Sequence, residues 1–148
     1  MRGLRLVASL CLLLGLLGLV GSTAAREVLP GPVAAQVLKV LDGDTLMVRA
    51  RIWVGQDIEI RVRIFGIDAP ELRGRCEEEK LRARQARDFV RDAVASGRVR
   101  LHLIQYDKYA GRVLARVETE SGRDLGAALL AAKLARAYDG GTRAGWCG

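Results

Sequence analysis

The alternation of apolar and charged residues predicts that most of this chain folds as β-strands. From residue 58 to residue 64 every second side chain is apolar, and charged side chains, Arg63 among them, fill the positions between. Neighbouring side chains of a strand point to opposite faces, so this segment predicts a strand with one buried face. Residues 99 to 103 show the same alternation, and residues 113 to 119 have the composition of another strand.

Two more strands are predicted earlier in the chain. Residues 37 to 41 form a short apolar run that ends at Asp42-Gly43, and residues 45 to 54 resume a strand-like composition. Because Asp-Gly is a favoured dipeptide of tight hairpin turns, the two segments are expected to pair. This brings the predicted strands to five.

Two segments change to helical spacing. In residues 77 to 96 apolar side chains share one side, and three glutamates occupy the first turn, where the helix dipole favours negative charge. Residues 125 to 134 predict a second helix after the Ser121-Gly122 turn. Five strands, with one helix before the fourth and another after the fifth, favour an α+β fold: a five-stranded OB-type β-barrel with two main helices.

The N-terminus has the order of a secretory signal. Arg2 and Arg5 supply a positive start, an uncharged apolar run follows, and small residues lead to Ala25. We therefore expect residues 1–25 to be a signal peptide, residues 26–33 a linker, and residues 34–148 one domain, in a periplasmic or secreted protein. The same run is long enough to cross a bilayer if it is not cleaved, so a retained anchor stays open.

Charge and cysteine content add two constraints. The chain has 24 Lys and Arg against 17 Asp and Glu, which favours polyanionic partners, although a basic balance also serves solubility alone. Cleavage after Ala25 would remove Cys11 and leave Cys76 and Cys147. In an oxidising compartment this even pair favours a disulfide over two packed thiols.

Three short segments carry candidate chemistry. Asp42-Gly43-Asp44-Thr45 places two carboxylates around a glycine turn, and Asp68 and Glu71 follow the strand that contains Arg63. If both acidic loops meet at one end of the barrel, their carboxylates and a backbone carbonyl make a hard oxygen site suited to Ca²⁺. Residues 107 to 112 bring a further arginine on a turn before a strand.

The order of these segments resembles the staphylococcal nuclease (thermonuclease) family over most of residues 35 to 139. The resemblance rests on DGDT, then an arginine followed by D-x-P-E, then D-K-Y with G-R close behind. It implies that Asp44, Asp68 and the carbonyl of Ala69 ligate Ca²⁺. It also implies that Glu71 positions or deprotonates the attacking water.

The same resemblance assigns the phosphate and nucleotide contacts. Arg63 and Arg112 would grip the phosphate, because a planar guanidinium matches two phosphate oxygens. Lys108, Tyr109 and Tyr138 would line the nucleotide site. One departure is Ala110, which is inserted before the glycine of the turn and could shift Arg112.

These assignments lead us to expect an exported, monomeric, Ca²⁺-dependent endonuclease that acts on DNA and RNA and leaves 3′-phosphate ends. The rival expectation is a non-catalytic OB-fold nucleic-acid-binding protein, which would tolerate loss of the catalytic residues. Three other residues are expected to have structural roles only: Trp53 and Trp146 in packing, and His102 facing solvent between inward-facing Leu101 and Leu103.

Overall fold

The computed structural model describes residues 26 to 148, so the predicted signal peptide lies outside the described residues. The elements run in the order β1 (Val28–Leu29), β2 (Val33–Asp42), β3 (Thr45–Trp53), β4 (Gln56–Ile64), β5 (Ile67–Asp68), α1 (Glu77–Ala93), β6 (Arg98–Tyr106), β7 (Arg112–Thr119), α2 (Leu125–Ala131) and β8 (Arg136–Ala137).

Five of the strands close into a barrel. The order β6-β2-β3-β4-β7 is completed by a pairing of β6 with β7, and every neighbouring pair is antiparallel except β4 with β7. Closure pairs the backbone groups that an open sheet would leave at its edges. The predicted five-stranded OB-type barrel with two helices is confirmed.

The barrel is filled by the apolar face that the alternation predicts. Leu46, Val62, Leu101 and Val117 lie on four different strands and are buried. Helix α1 adds Val90 to the same core, since its apolar side packs against β2 and α2. Because small side chains such as Ala83 and Ala86 are fully buried on α1, the helix can approach the barrel closely.

The β3–β4 hairpin extends beyond this core. Trp53 is 72% exposed and Val54 is 89% exposed, and Ile58 on the returning strand is also exposed. The expectations that Trp53 packs in the core and that Ile58 shares the buried face are therefore wrong. Alternation gives the face of a strand, but it does not tell how far along the strand the core reaches.

Residues 26 to 33 contain a strand where the sequence indicates only a linker. Val28 and Leu29 pair with Ile104 and Gln105, and Leu103 N donates to Pro30 O at 3.0 Å. An irregularity in β6 accompanies this contact: Leu103 has φ 52°, the register with β7 shifts there, and its side chain is exposed. Leu103 therefore does not face inward as predicted.

Beyond β8 the chain continues to residue 148 without helix or strand. Cys147 forms a disulfide with Cys76, the residue that caps the N-terminus of α1, with the two Cα atoms 6.0 Å apart. Trp146 is buried as predicted. We refer to residues 139 to 148 as the C-terminal strap. None of the helices within residues 26 to 148 combines the length and apolar character needed to cross a membrane.

Candidate active site

The first acidic loop is the tight turn between β2 and β3. Gly43 is required at its centre, because a Cβ there would lie 2.6 Å from the Cβ of Ala86 on α1. The turn buries Asp44, whose Oδ1 accepts a hydrogen bond from Thr45 Oγ1 at 2.8 Å. Its Oδ2 accepts from the backbone N–H of Ala69 at 3.4 Å. The first loop is thereby tied to the second.

The second acidic loop begins at β5. Asp68 is buried, and β5 is held by antiparallel pairing with β8, in which Asp68 lies opposite Arg136. Trp146 Nε1 donates to Asp68 Oδ2 at 3.2 Å. The C-terminal strap therefore fixes the orientation of this carboxylate, a role that the sequence did not indicate for Trp146.

Arg63 joins the two loops. It lies opposite Thr45 at the end of β4, and its Nη2 is 3.2 Å from both Asp44 Oδ2 and Asp68 Oδ1. Its guanidinium also stacks over the ring of Tyr138, 5.5 Å from the centroid. Arg63 is buried, whereas the alternation of β4 places it on the polar face, because the loops and the strap cover this end of the strand.

Glu71 lies beside these groups with its side chain half exposed. Its position depends on Glu79 of α1, a buried carboxylate that accepts hydrogen bonds from the backbone N–H of Glu71 at 3.4 Å and of Arg75 at 2.9 Å. Gly74 leaves room for this contact, since a Cβ there would lie 2.5 Å from the Glu79 side chain. The sequence predicted Glu79 only as a residue of the first helical turn.

Arg143 is the site residue that sequence reasoning missed entirely. Its Nη1 donates to Glu71 Oε1 at 2.8 Å, its Nη2 pairs with Asp68 Oδ1, and Asp44 Oδ2 is 4.0 Å away. Burial alone would lower the pKa of Arg143, but the hydrogen bond to Glu71 and the charge of Asp68 outweigh it and raise the pKa above its ordinary value. No motif in the sequence singles out this residue.

Asp42, at the start of the first turn, lies in a predicted acidic segment, but the sequence assigned it no role of its own. Burial, together with the charges of Glu71 and Asp44, raises its pKa to about 6 against backbone hydrogen bonds that lower it. Its Oδ1 is buried without a hydrogen-bond partner among the described residues. We refer to the four carboxylates of this site as the acidic cluster: Asp42, Asp44, Asp68 and Glu71. The cluster carries more negative charge than Arg63 and Arg143 neutralise.

A cleft of about 550 Å³ opens beside the cluster. Arg63, Glu71 and Arg143 line it on the cluster side, and the turn before β7 lines it with Lys108, Tyr109 and Arg112. The structure therefore brings the predicted phosphate and nucleotide residues to one cavity, Tyr138 included.

The turn before β7 has its own internal contacts. Asp107 accepts from Arg112 Nε, and the Arg112 guanidinium lies 4.7 Å from the ring centroid of Tyr109. Arg112 also borders a smaller cavity that includes Asp44 and Glu71. The inserted Ala110 has not turned Arg112 away from the acidic cluster.

The chain thus forms a closed OB-type barrel that carries carboxylates and arginines gathered at one end. The model for the family described as staphylococcal nuclease homologue matches residues 61–144, which include Arg63, Glu71, Arg112 and Arg143. The chain belongs to this family.

Curated relatives carry endonuclease names. The chain is 30% identical over 89 residues to a protein of Phaeosphaeria nodorum named probable endonuclease LCL3, with 58% of this chain and 30% of that protein covered. It is 32% identical over 90 residues to the protein of the same name in Leptosphaeria maculans, covering 59% of this chain and 30% of the relative. An Escherichia coli protein named uncharacterized endonuclease is 30% identical over 112 residues, covering 76% of this chain and 65% of the relative. The chain thus spans under a third of the fungal proteins.

Proposed function

We propose that this protein is an endonuclease that hydrolyses phosphodiester bonds of DNA and RNA, with Ca²⁺ as its cofactor. The observation that carries the proposal is the convergence of Asp44, Asp68 and Glu71 with Arg63 beside a cleft that bears a second phosphate-binding candidate, Arg112. The endonuclease names of the relatives support it.

The donor set fits a hard divalent cation. Asp44 and Asp68 are carboxylates held within one cluster, and Asp42 adds a buried oxygen that no residue among 26–148 satisfies. Oxygen donors of this kind suit Ca²⁺. Asp44, Asp68 and the carbonyl of Ala69 would hold the ion, which would supply positive charge to the phosphate and to a bound water.

The protein side chains have separate roles in the proposed reaction. Arg63 and Arg112 bind the phosphate and stabilise the charge that develops on its non-bridging oxygens. Glu71, at the rim of the cluster, orients a water and accepts its proton as the water oxygen bonds to phosphorus. The bond from phosphorus to the 5′ oxygen breaks, this oxygen takes up a proton from solvent, and the products are a 3′-phosphate and a 5′-hydroxyl.

Lys108, Tyr109 and Tyr138 are proposed to hold the nucleotide. Tyr109 is exposed at the cleft, and Lys108 lies 5.3 Å from its ring centroid. An exposed aromatic ring beside a lysine offers a stacking surface that accepts any base. This arrangement supports cleavage with little preference for the base sequence of the nucleic acid.

We also propose that the protein is exported and acts as a monomer. The disulfide between Cys76 and Cys147 supports an oxidising compartment. The predicted signal peptide in residues 1–25 lies outside the described residues.

Cleavage of single-stranded DNA and RNA by the purified protein, with Ca²⁺ and then with excess chelator, tests the proposal. We expect cleavage only with Ca²⁺, loss of cleavage in Glu71→Gln, and no loss in the control Glu59→Gln on the exposed hairpin. Binding of DNA without cleavage under every condition would instead identify a non-catalytic nucleic-acid-binding protein.

A further inference from the structure

The guanidinium of Arg143 occupies an oxygen that the proposed cation needs. It contacts Glu71 Oε1 at 2.8 Å and pairs with Asp68 Oδ1, which also accepts from Arg63 Nη2 at 3.2 Å, while Asp68 Oδ2 accepts from Trp146. Asp68 Oδ1 therefore has two guanidinium partners. A cation that binds this oxygen must displace one of them.

The charge of the cluster also depends on Arg143. Two arginines, Arg63 and Arg143, lie in the same cavity as the carboxylates of Asp42, Asp44 and Glu71 and pair with Asp68, so an excess of negative charge remains for a divalent ion. A divalent ion close to Asp68 would lie next to the Arg143 guanidinium, and like charges repel each other strongly in a partly desolvated site. This repulsion favours either Arg143 or a cation at Asp68 and disfavours both together.

Arg143 is also the arginine that is able to move. Arg63 extends from β4 and has about 10% of its side chain exposed, whereas Arg143 has 38% exposed and extends from the C-terminal strap. The strap is attached on both sides of it: Tyr138 donates to Gly141 O at 2.8 Å, and Arg136 donates to Gly145 O at 2.7 Å. The backbone is therefore held while the side chain of Arg143 can change its partner.

We propose that Arg143 competes with the divalent cation for Asp68: it neutralises Asp68 and Glu71 in the metal-free protein and moves away when the cation binds. The inference rests on the cation site of the proposed function. Arg143 remains at the wall of the cleft in either position, because its backbone is fixed. It thereby sets the threshold concentration at which the cation is taken up.

Calorimetric titration of the purified protein with Ca²⁺, without nucleic acid, tests the competition. We expect Arg143→Ala to bind Ca²⁺ about tenfold more tightly than the wild type, the scale set by one ionic hydrogen bond. The matched control is Arg73→Ala, which removes the same charge from an exposed position two residues after Glu71. Its affinity is expected to change less than threefold, roughly the weaker effect of an exposed charge that solvent and salt screen.

Two results would overturn the competition. The first is an affinity of Arg143→Ala that equals or falls below that of Arg73→Ala. The second is a side-chain Nε–Hε signal of Arg143 in the wild type, followed by NMR, that stays unchanged at saturating Ca²⁺. If Arg143→Ala fails to fold, Arg143→Gln replaces it with the same expectation. Absence of Ca²⁺ binding in both wild type and variant would overturn the cation site as well, which separates the two failures.

Discussion

Arg112 depends on a single turn for its position at the cleft. Asp107 accepts a hydrogen bond from Arg112 Nε, and Tyr109 stacks on the Arg112 guanidinium. These contacts hold the guanidinium on the side of the cleft that faces the acidic cluster. We expect Arg112→Ala to lower turnover by about 100-fold, the scale for losing one donor to a developing negative charge, with a smaller effect on DNA affinity. Single-turnover cleavage and equilibrium binding measure the two quantities.

Arg116→Ala is the matched control for Arg112→Ala. Arg116 lies four residues further along β7 on an exposed position, where it pairs with Asp124 at 3.3 Å. Its removal is expected to leave turnover unchanged. Equal rates for Arg112→Ala and Arg116→Ala would show that Arg112 serves only to hold Asp107.

Asp42 makes the stability of the metal-free protein depend on pH. Its folded pKa of about 6 exceeds the ordinary aspartate pKa of 3.8, so the folded state holds this proton more tightly than the unfolded chain. The carboxylate therefore destabilises the fold increasingly as pH rises from about 4 to 6. We expect Asp42→Asn to be more stable than the wild type above this window, with the difference shrinking below it.

Urea unfolding of both proteins in excess chelator, at pH 4.5 and at pH 7.5, measures this difference. Comparing the variant with the wild type at each pH cancels the other groups that titrate in the window. A difference of the same size at both pH values would rule out Asp42 as its source.

At the scale of elements, strand alternation predicted the barrel well. The periods of residues 58 to 64 and 99 to 103 fall within β4 and β6, whose central apolar side chains are buried in the barrel, whereas Ile58 and Leu103 at the ends of these periods are exposed. The exposed hairpin end and the short strand β1 were not predicted. The exposure of the hairpin depends on where the core ends, and the pairing of β1 depends on which strand edge is free to pair. Neither property produces a hydrophobic pattern within the segment itself.

Helix α1 connects the fold to the chemistry through Glu79. This carboxylate accepts the backbone N–H groups of Glu71 and Arg75, and it is buried without a cation partner among the described residues. In Glu79→Ala those donors lose their acceptor, at a cost of about 1–3 kcal/mol in unfolding free energy. We expect turnover to fall as well, by roughly tenfold or more, because a small displacement of a catalytic group has a large effect.

Glu78→Ala is the control for Glu79→Ala. Glu78 is the preceding residue of α1, and it is exposed and paired with Arg82 at 2.7 Å. Its loss is expected to change stability by no more than about 0.5 kcal/mol. A similar loss of stability and turnover in both variants would show that α1, and not the carboxylate of Glu79, holds the loop.

At the scale of the whole molecule, the sequence identified the site residues that lie in motifs. It missed those that reach the site only because the folded chain returns to it. Asp44, Asp68 and Glu71 occur in short acidic loops that strand order places at one end of the barrel. Arg143 and Glu71 are 72 residues apart, and Arg143 lies in a segment without periodicity. Their contact follows from the path of the strap, which only the assembled fold defines.

The strap itself depends on the disulfide between Cys76 and Cys147. This bond, with a sequence separation of 71, fixes the end of the chain beside the entry to α1. On the chain-entropy model a loop of this length restricts the unfolded chain by about 4 kcal/mol. We expect reduction to lower the urea midpoint markedly and to reduce cleavage, because Trp146 and Arg143 would lose the anchor that holds them against Asp68.

The double variant Cys76→Ser/Cys147→Ser completes this test without leaving a free thiol within residues 26 to 148 that could form dimers. It should match the reduced wild type in stability and cleavage, and reductant should not change it further. Counting thiols in the denatured, unreduced protein checks the bond directly, and two titratable thiols from these positions would contradict it. If the bond is present but reduction leaves both the midpoint and cleavage unchanged, Trp146 packing and the Arg136 contact to Gly145 are sufficient to hold the strap.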